Sequence, residues 1–470
     1  MKNGFSLKLR LFPYLLIGTV VMSPLPFGST DQISVAFWVV ILAVVSIGVL
    51  PARFTSAQLI FVACAAAIAL AWATTMYIGL STSPIFAGAL DNPIWRQASE
   101  ALQVQLHSGV SVTRNQPFYS AGPQLACFLA LFAGFMAGHD QTVARRFLQV
   151  VSISAVVYAG FGIVSFAIDP NVVLWREKLA YRSFLTATFT NRNTAAIYFG
   201  SFAVIWLLIL TNRLSKVWPA DTAWLHAAKA TLRRPGFPAV RAAFSLLLVL
   251  SAMFMTGSRA GVLMSLAAMF GALLAFHRSK LSSVSALAGA LVIGGAVLLA
   301  LLQLMGTIVA NRFDLNDLAE NGRWHTYKST LAIIVDFPWF GTGLGTFPIV
   351  FPAYRSSEIS TFGTWDRAHN TLLELASEQG IPFAIIVTTG FAVMGIILVR
   401  GIRRRRRDRI IPLSALSVAV LVVAHSLVDF SLQIPALAIL VFTLIGVGLA
   451  QSYSATVLAS RSPLNSSGCS

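Results

Sequence analysis

The sequence predicts an all-α, polytopic integral membrane protein with about twelve transmembrane helices and one long loop that itself contains helices. Three observations carry this fold class. Of 470 residues, 56% are hydrophobic and only 11% are charged, whereas a soluble domain carries about a quarter charged residues. Apolar runs approaching the ~20 residues that cross a bilayer recur along the chain. Lys and Arg crowd into alternate connecting segments, the signature of a fixed orientation in a membrane.

Taken in order, the first element is Met1 to Gly28. Lys2, Lys8 and Arg10 precede an apolar stretch, as in a signal peptide. Further apolar runs follow at once, so the segment reads as an uncleaved first helix. Spans are expected near 11–29, 33–50, 57–78, 123–138, 147–168, 193–211, 242–257, 260–276, 284–304, 379–399, 410–428 and 433–451. Several are short or interrupted by Gly or Pro, which membrane helices tolerate. The chain thus reads as a single membrane domain over 1–470, with residues 305–378 inserted as a loop between the ninth and tenth spans.

Two shorter connections, about 79–122 and 169–192, lie on the same side as that loop. A loop as long as 305–378 is more than a turn, and such loops are usually functional. Within it, Asn321 to Val335 reads as an amphipathic helix with Trp324, Tyr327, Leu331 and Ile334 at helical spacing. Asp336-Phe337-Pro338 ends that helix, and Gly341-Thr342-Gly343-Leu344-Gly345 turns the chain. The glycine cluster follows a helix rather than a strand, so it is no dinucleotide fingerprint.

The formal charge of +17 suggests nucleic acid only until the charges are placed. Arg145, Arg146, Arg213, Lys216, Arg233, Arg234, Arg278, Lys280, Arg400 and the run Arg403 to Arg407 share one face. Only Asp140, Asp221 and Asp408 oppose them there. That face is expected to be cytoplasmic, with both termini on it, and the arginine run to anchor on lipid headgroups. No nucleic-acid partner is expected. Cys64, Cys127 and Cys469 form no disulfide framework. No Cys/His spacing for zinc and no DxD carboxylate pair is present, so no metal or other cofactor is expected.

The chemistry lies at the opposite face. Helices that run inward begin there, and a helix N-terminus offers free N–H groups and a positive dipole end. Arg192, in Thr190-Asn191-Arg192-Asn193, opens the sixth span. Arg259, in Thr256-Gly257-Ser258-Arg259-Ala260-Gly261, opens the eighth, with Ser258 as its expected N-cap. His369 and Asn370 precede the helix that leads into the tenth. Arg323 starts the loop helix. Arginine presents a fixed fork of donors to phosphate oxygens. Each arginine alone fits a residue reaching toward headgroups; three polar clusters at three such helix starts point to one anion site. His369 is the candidate base, its pKa expected to be lowered by a helix N-terminus and nearby arginines. Asn193, Asn370 and Glu374 are candidate supports. Glu374 and Glu378 also fit acids that favour a helix start. His425 and Asp429, spaced i and i+4, either clasp each other or orient the site, and His425 is the alternative base.

These pieces, in this order, resemble the O-antigen ligase and polymerase superfamily of bacterial envelope glycan transferases. The matching stretches are Phe189 to Asn193, Thr256 to Gly261, Gly322-Arg323-Trp324, Asp336 to Gly343, and His369-Asn370-Thr371-Leu372-Leu373-Glu374 with Glu378-Gln379-Gly380. The first spans match in hydropathy alone. The resemblance implies a polyprenyl-diphosphate-linked glycan donor at the periplasmic face of the bacterial inner membrane. It implies attack by an acceptor hydroxyl, of lipid A–core in a ligase or of another carrier-linked glycan in a polymerase. By position Arg192, Arg259 and Arg323 would bind the diphosphate and His369 would assist the acceptor. Two other classes compete. A lipid-linked glycan flippase or exporter would line its central path with polar groups, whereas the spans here are nearly free of charge at mid-depth. A structural scaffold leaves the placement of Arg192, Arg259 and His369 unexplained.

Overall fold

The computed structural model describes residues 2–80, 89–217, 236–278, 313–359, 365–405 and 409–459, with single positions at 289, 292 and 295. Among them the regular secondary structure is helical except for one two-stranded ribbon. Its elements are α1 (Lys2–Met22), α2 (Gln32–Gly48), α3 (Ser56–Leu80), α4 (Ile94–Leu102), α5 (Gln116–Tyr119), α6 (Ala121–Gly138) and α7 (Gln141–Ile168). The antiparallel ribbon β1 (Val172–Val173) and β2 (Arg176–Glu177) follows. Then come α8 (Arg192–Val217), α9 (Phe237–Met255), α10 (Arg259–Phe276), α11 (Phe313–Asp336), α12 (Phe347–Tyr354), α13 (Thr371–Arg404), α14 (Ile410–His425) and α15 (Pro435–Ala459).

Eight of the described helices are long and apolar enough to cross a membrane: α3, α6, α7, α8, α9, α10, α13 and α15. Shorter apolar helices stand at Leu11–Met22, Gln32–Gly48 and Ile410–His425, where three more spans are expected. The expected span 284–304 and residues 406–408 of the basic run lie outside the described residues. The first helix stops at Met22 rather than near 29, because Pro24 and Pro26 withhold backbone donors and the chain turns through Phe27–Ser29.

Two helices form the interior, and the rest surround them. On α8, Tyr198, Phe199 and Phe202 are fully enclosed, and on α15 nearly every residue from Ala436 to Ala450 is buried. A helix that is apolar all round and has few exposed positions belongs in the centre of a bundle. Between α6 and α15 the closeness comes from small residues. A Cβ added at Gly134 would sit 2.5 Å from the Thr443 carbonyl oxygen, and one at Gly446 would sit 2.3 Å from that of Leu131. Gly134 and Gly138 are four apart and so share a face, which lets two helix backbones meet where lipid supplies no hydrophobic drive.

The helix α13 is broken at Gly380 (φ 85°, ψ 161°). Pro382 has no N–H for the Glu378 carbonyl, and the Ile381 N–H has left its helical partner for the Pro338 carbonyl at 2.8 Å. The stranded carbonyls of Ser377 and Glu378 accept from the backbone N–H groups of Thr342 and Gly343, both at 2.9 Å. The glycine-rich turn after α11 therefore fills the break in α13. Gly380 is required here, since a Cβ would lie 2.0 Å from the Trp339 carbonyl oxygen at a φ that L side chains rarely adopt. The result is a short half-helix, 371–379, that starts two residues after the candidate histidine.

The loop helix begins at Phe313 rather than Asn321, so Arg323 lies within it and not at its start, and it departs from its expected apolar stripe. Tyr327 is partly enclosed and Ile334 is buried, but Trp324 and Leu331 are exposed. The inward face is Thr326, Ser329, Thr330 and Ile333. Thr326 and Thr330 donate to the carbonyls of Gly322 and Thr326 at 2.8 and 2.7 Å. With their hydroxyls satisfied inside the helix, these threonines bury like small apolar residues.

Gly446→Val is expected to force α15 off α6, because the obstacle is a backbone carbonyl that cannot rotate away. The expected loss is roughly 1–3 kcal/mol, read as a lower midpoint of thermal unfolding in detergent. An unchanged midpoint would mean that the two helices are not packed at this distance.

Candidate functional site

Three helix starts and one loop meet around Asp429, which is 1% exposed. At the start of α8, the Asn191 side chain accepts from the N–H groups of Asn193 and Thr194 at 2.7 and 3.4 Å and so caps the helix. The cap leaves Arg192 as the first helical residue and turns Asn193 inward. Asn193 donates through Nδ2 to Asp429 Oδ2 at 2.5 Å and accepts through Oδ1 from Ser258 Oγ at 2.8 Å. Ser258 in turn caps α10, accepting from Gly261 N–H at 3.3 Å. One amide thus links two helix starts to one carboxylate, and it brings Arg192 and Arg259 to the same end of the bundle.

From α11, Arg323 Nη2 lies 3.6 Å from Asp429 Oδ2. One turn later, Tyr327 donates its hydroxyl to the His369 carbonyl at 3.1 Å. The loop that carries His369 is fixed at both ends. On its near side, Glu374 is 3% exposed; it pairs with Arg367 at 3.1 Å and accepts from Ala368 N–H at 2.8 Å. On its far side, Asn370 caps α13 by accepting from the N–H groups of Leu372 and Leu373, both at 3.1 Å, and donates to the Leu427 carbonyl at 2.9 Å. Between these anchors His369 holds a left-handed backbone, φ 53°, a strained state that persists where the surroundings over-determine it. Its ring lies edge-on to Trp365 and Phe430, and Nδ1 is 4.0 Å from Asp429 Oδ2.

The electrostatics follow from this geometry. Arg192 is within reach of the charges on Arg259, Arg323 and Asp429. Arg259 and Arg323 act on Arg192 as like charges and Asp429 as the opposite one, while Asp366 also acts on Tyr181 and His369. Burial pushes the His369 imidazole down to about 4; Asp429 opposes this and Arg323 adds to it. The expected lowering is present, with desolvation as its main cause rather than the helix end. Burial also holds the hydroxyls of Tyr181 and Tyr327 above the ordinary phenol value. The Arg367 guanidinium is held above its ordinary value because Glu374 outweighs the cost of its burial.

His425 and Asp429 make no side-chain clasp. Both ring nitrogens of His425 are buried with no hydrogen-bond partner, and Asp429 is joined to His425 only through its own N–H on the His425 carbonyl at 3.0 Å. The reason is competition: Asn193, Arg323, the Phe430 N–H and Ser431 Oγ already occupy the Asp429 carboxylate. Glu378 is also apart from the site, since it accepts from Phe347 N–H at 2.9 Å and pins α12. Among the described residues no three His, Cys, Asp or Glu side chains gather as a metal cluster.

Sequence reasoning passed over Tyr181, Phe184, Trp365 and Phe430. Aromatic residues in connecting loops carry no spacing signal. Tyr327 was detectable in principle, standing one helical turn after Arg323 and so on the same face.

Asp429→Ala strands the Asn193 amide and the Arg323 guanidinium together. It is expected to cost about 1–3 kcal/mol of stability, measured as the protein left monodisperse after heating in detergent. Asp429→Asn, which keeps the shape and one acceptor oxygen, is expected to lose less. Equal stability of all three proteins would remove Asp429 as the organising group.

Residues 244–388 match a family model described as O-antigen ligase. No curated protein matches the chain. The matched stretch runs from α9 into α13 and holds Arg259, Arg323, His369, Asn370 and Glu374, whereas Arg192, His425 and Asp429 lie outside it. This match over the arginine, the loop helix and the histidine supports placing the chain in the O-antigen ligase superfamily.

Proposed function

We propose that this protein is a membrane glycan transferase. It moves a polyprenyl-diphosphate-linked oligo- or polysaccharide to an acceptor hydroxyl at the periplasmic face of the bacterial inner membrane. The acceptor is lipid A–core, as in an O-antigen ligase. The chain crosses about twelve times with both termini cytoplasmic, and residues 305–378 form the periplasmic loop. The family match supports glycan transfer of the O-antigen ligase or polymerase type. The observation that carries the rest is the meeting of Arg192, Arg323 and His369 around Asp429, with Arg259 close enough to act on Arg192.

In this reading the diphosphate rests on Arg192 and Arg259 at the starts of α8 and α10, where backbone N–H groups add to their charge, and on Arg323 from within α11. The acceptor oxygen attacks the anomeric carbon of the first sugar. A carbon–oxygen bond forms there as the bond to the diphosphate oxygen breaks. Neutral His369 takes the hydroxyl proton, and the imidazolium that results faces the Asp429 carboxylate. Negative charge grows on the departing diphosphate, so the arginines hold it more tightly in the transition state than in the bound donor. Glu374 and Asn370 act through the loop, keeping His369 in place.

The test is a transfer assay with purified protein and a polyprenyl-diphosphate glycan, with and without lipid A–core, beside His369→Ala. Core-dependent transfer that fails in the variant supports a ligase. Longer carrier-linked chains from the donor alone replace it with a polymerase. Donor binding without chemistry in either mixture favours an exporter. Arg259→Ala is expected to slow transfer roughly a hundred- to a thousandfold with expression intact, and near-normal turnover would sink its assignment.

The pH dependence has a defined sign. His369 acts when neutral and titrates at about 4, so kcat/KM should stay level from neutrality down past 6.5 and fall only as pH approaches 4. An acid limb centred at 6.5 would exclude His369, in this setting, as the base. The same depression makes the unfolded chain take up the proton first. His369 therefore subtracts stability progressively as pH falls from 6.5 toward 4.

A further inference from the structure

We propose that Tyr181 and Phe184 are positioning residues that hold the Arg192 guanidinium ready for the donor's diphosphate; this rests on the transferase reading above. The guanidinium carbon lies 4.3 Å from the Phe184 ring centroid and 5.3 Å from that of Tyr181. Arg192 Nε is buried with no hydrogen-bond partner, and among the described residues no carboxylate forms an ion pair with Arg192 at contact distance; Asp429 acts on it only from farther away. Ring faces thus stand where a fixed anion would otherwise be. An aromatic face attracts the cation but accepts little from its in-plane N–H groups. A carboxylate would neutralise the charge and occupy those donors; two rings do neither.

The segment that presents the rings is fixed from several directions. Tyr181 has φ 61°, and its carbonyl accepts from Phe184 N–H at 3.0 Å, closing a turn. Lys178, 6% exposed, donates through Nζ to the Phe184 carbonyl at 3.0 Å. Leu185 N–H donates to the Met255 carbonyl at 3.0 Å. The Phe184 ring fills a notch that exists because residue 257 is glycine: a Cβ there would lie 2.3 Å from the ring, at φ 62°. Gly257 is two residues before Arg259. One aromatic ring therefore touches both the Arg192 side chain and the turn that leads into Arg259, and it fixes the spacing between two cations that repel each other.

The experiment measures binding of a polyprenyl diphosphate to the full-length protein in nanodiscs. Tyr181→Leu and Phe184→Leu should each weaken binding roughly 3- to 30-fold, whereas Tyr181→Phe should bind like the unaltered protein. Combined with Arg192→Ala, neither leucine variant should cause further loss, because the rings act only through that arginine. Losses that persist in the Arg192→Ala background, or a Tyr181→Phe variant as weak as Tyr181→Leu, would overturn the proposal. The Tyr181 series decides the matter if Phe184→Leu does not fold. Failure of the unaltered protein to bind the diphosphate would overturn the transferase reading along with this one. Weakening by Arg192→Ala with no effect of either leucine variant would overturn this one alone.

Discussion

A single buried carboxylate is the constraint on which the site depends. Asp429 accepts from Asn193, Phe430 and Ser431, and it faces Arg323 and His369. A buried charge is tolerable only when hydrogen-bonded and paired. The partners that satisfy it come from α8, from α11, and from the loops before α13 and after α14. Folding that satisfies the carboxylate therefore also assembles the site. The helix ends need no separate device to find one another, since Asn193 joins Asp429 on one side and Ser258 on the other.

The count of charges matters as much as their places. Arg259 and Arg323 both act unfavourably on the charge of Arg192, and this repulsion works against the folded state. Such a cluster persists when the scaffold fixes it by other means, and here the means are visible: helix caps at Asn191 and Ser258, and aromatic faces around Arg192. Strain held in this way is available to an anionic ligand, whose binding relieves it. The depressed imidazole of His369 belongs to the same balance, because burial beside arginines keeps a base neutral that water would half protonate near 6.5.

Much of this was legible in the sequence, for physical reasons that can be named. Apolar runs and Pro/Gly punctuation revealed the spans, because backbone groups in lipid have few ways to be satisfied. Arg192, Arg259 and His369 stood out because a charged or titratable group at a helix start is costly without a partner. The pairing of side chains was not legible. His425 and Asp429 sit four apart on paper, yet Asp429 turns to Asn193, a residue 236 positions away. Spacing along one helix says nothing of a competitor arriving from another. The loop helix shows the same limit in its packing: a periodicity that counts only apolar residues overlooks Thr326 and Thr330, whose hydroxyls return to their own helix. The break at Gly380 was hidden as well, since Pro382 announces a lost donor but not the turn that replaces it.

That break explains how a loop can hold a histidine rigidly. A continuous helix through residue 380 would give the Ser377 carbonyl to Ile381 N–H and leave only the Glu378 carbonyl, freed by Pro382, so the turn after α11 would lose one of its two docking bonds. Interrupting the helix exposes the carbonyls of Ser377 and Glu378, and the turn satisfies them at once. It also makes 371–379 a separate half-helix with its own start. Asn370 caps that start, Glu374 ties it to Arg367 and Ala368, and His369 is caught between the two. The lost helical bonds at Gly380 are recovered as tertiary bonds, so the strained φ of His369 rests on backbone pairing rather than on the loop's own preference. The geometry of the candidate base is therefore set about ten residues away, by a glycine that touches nothing at the site.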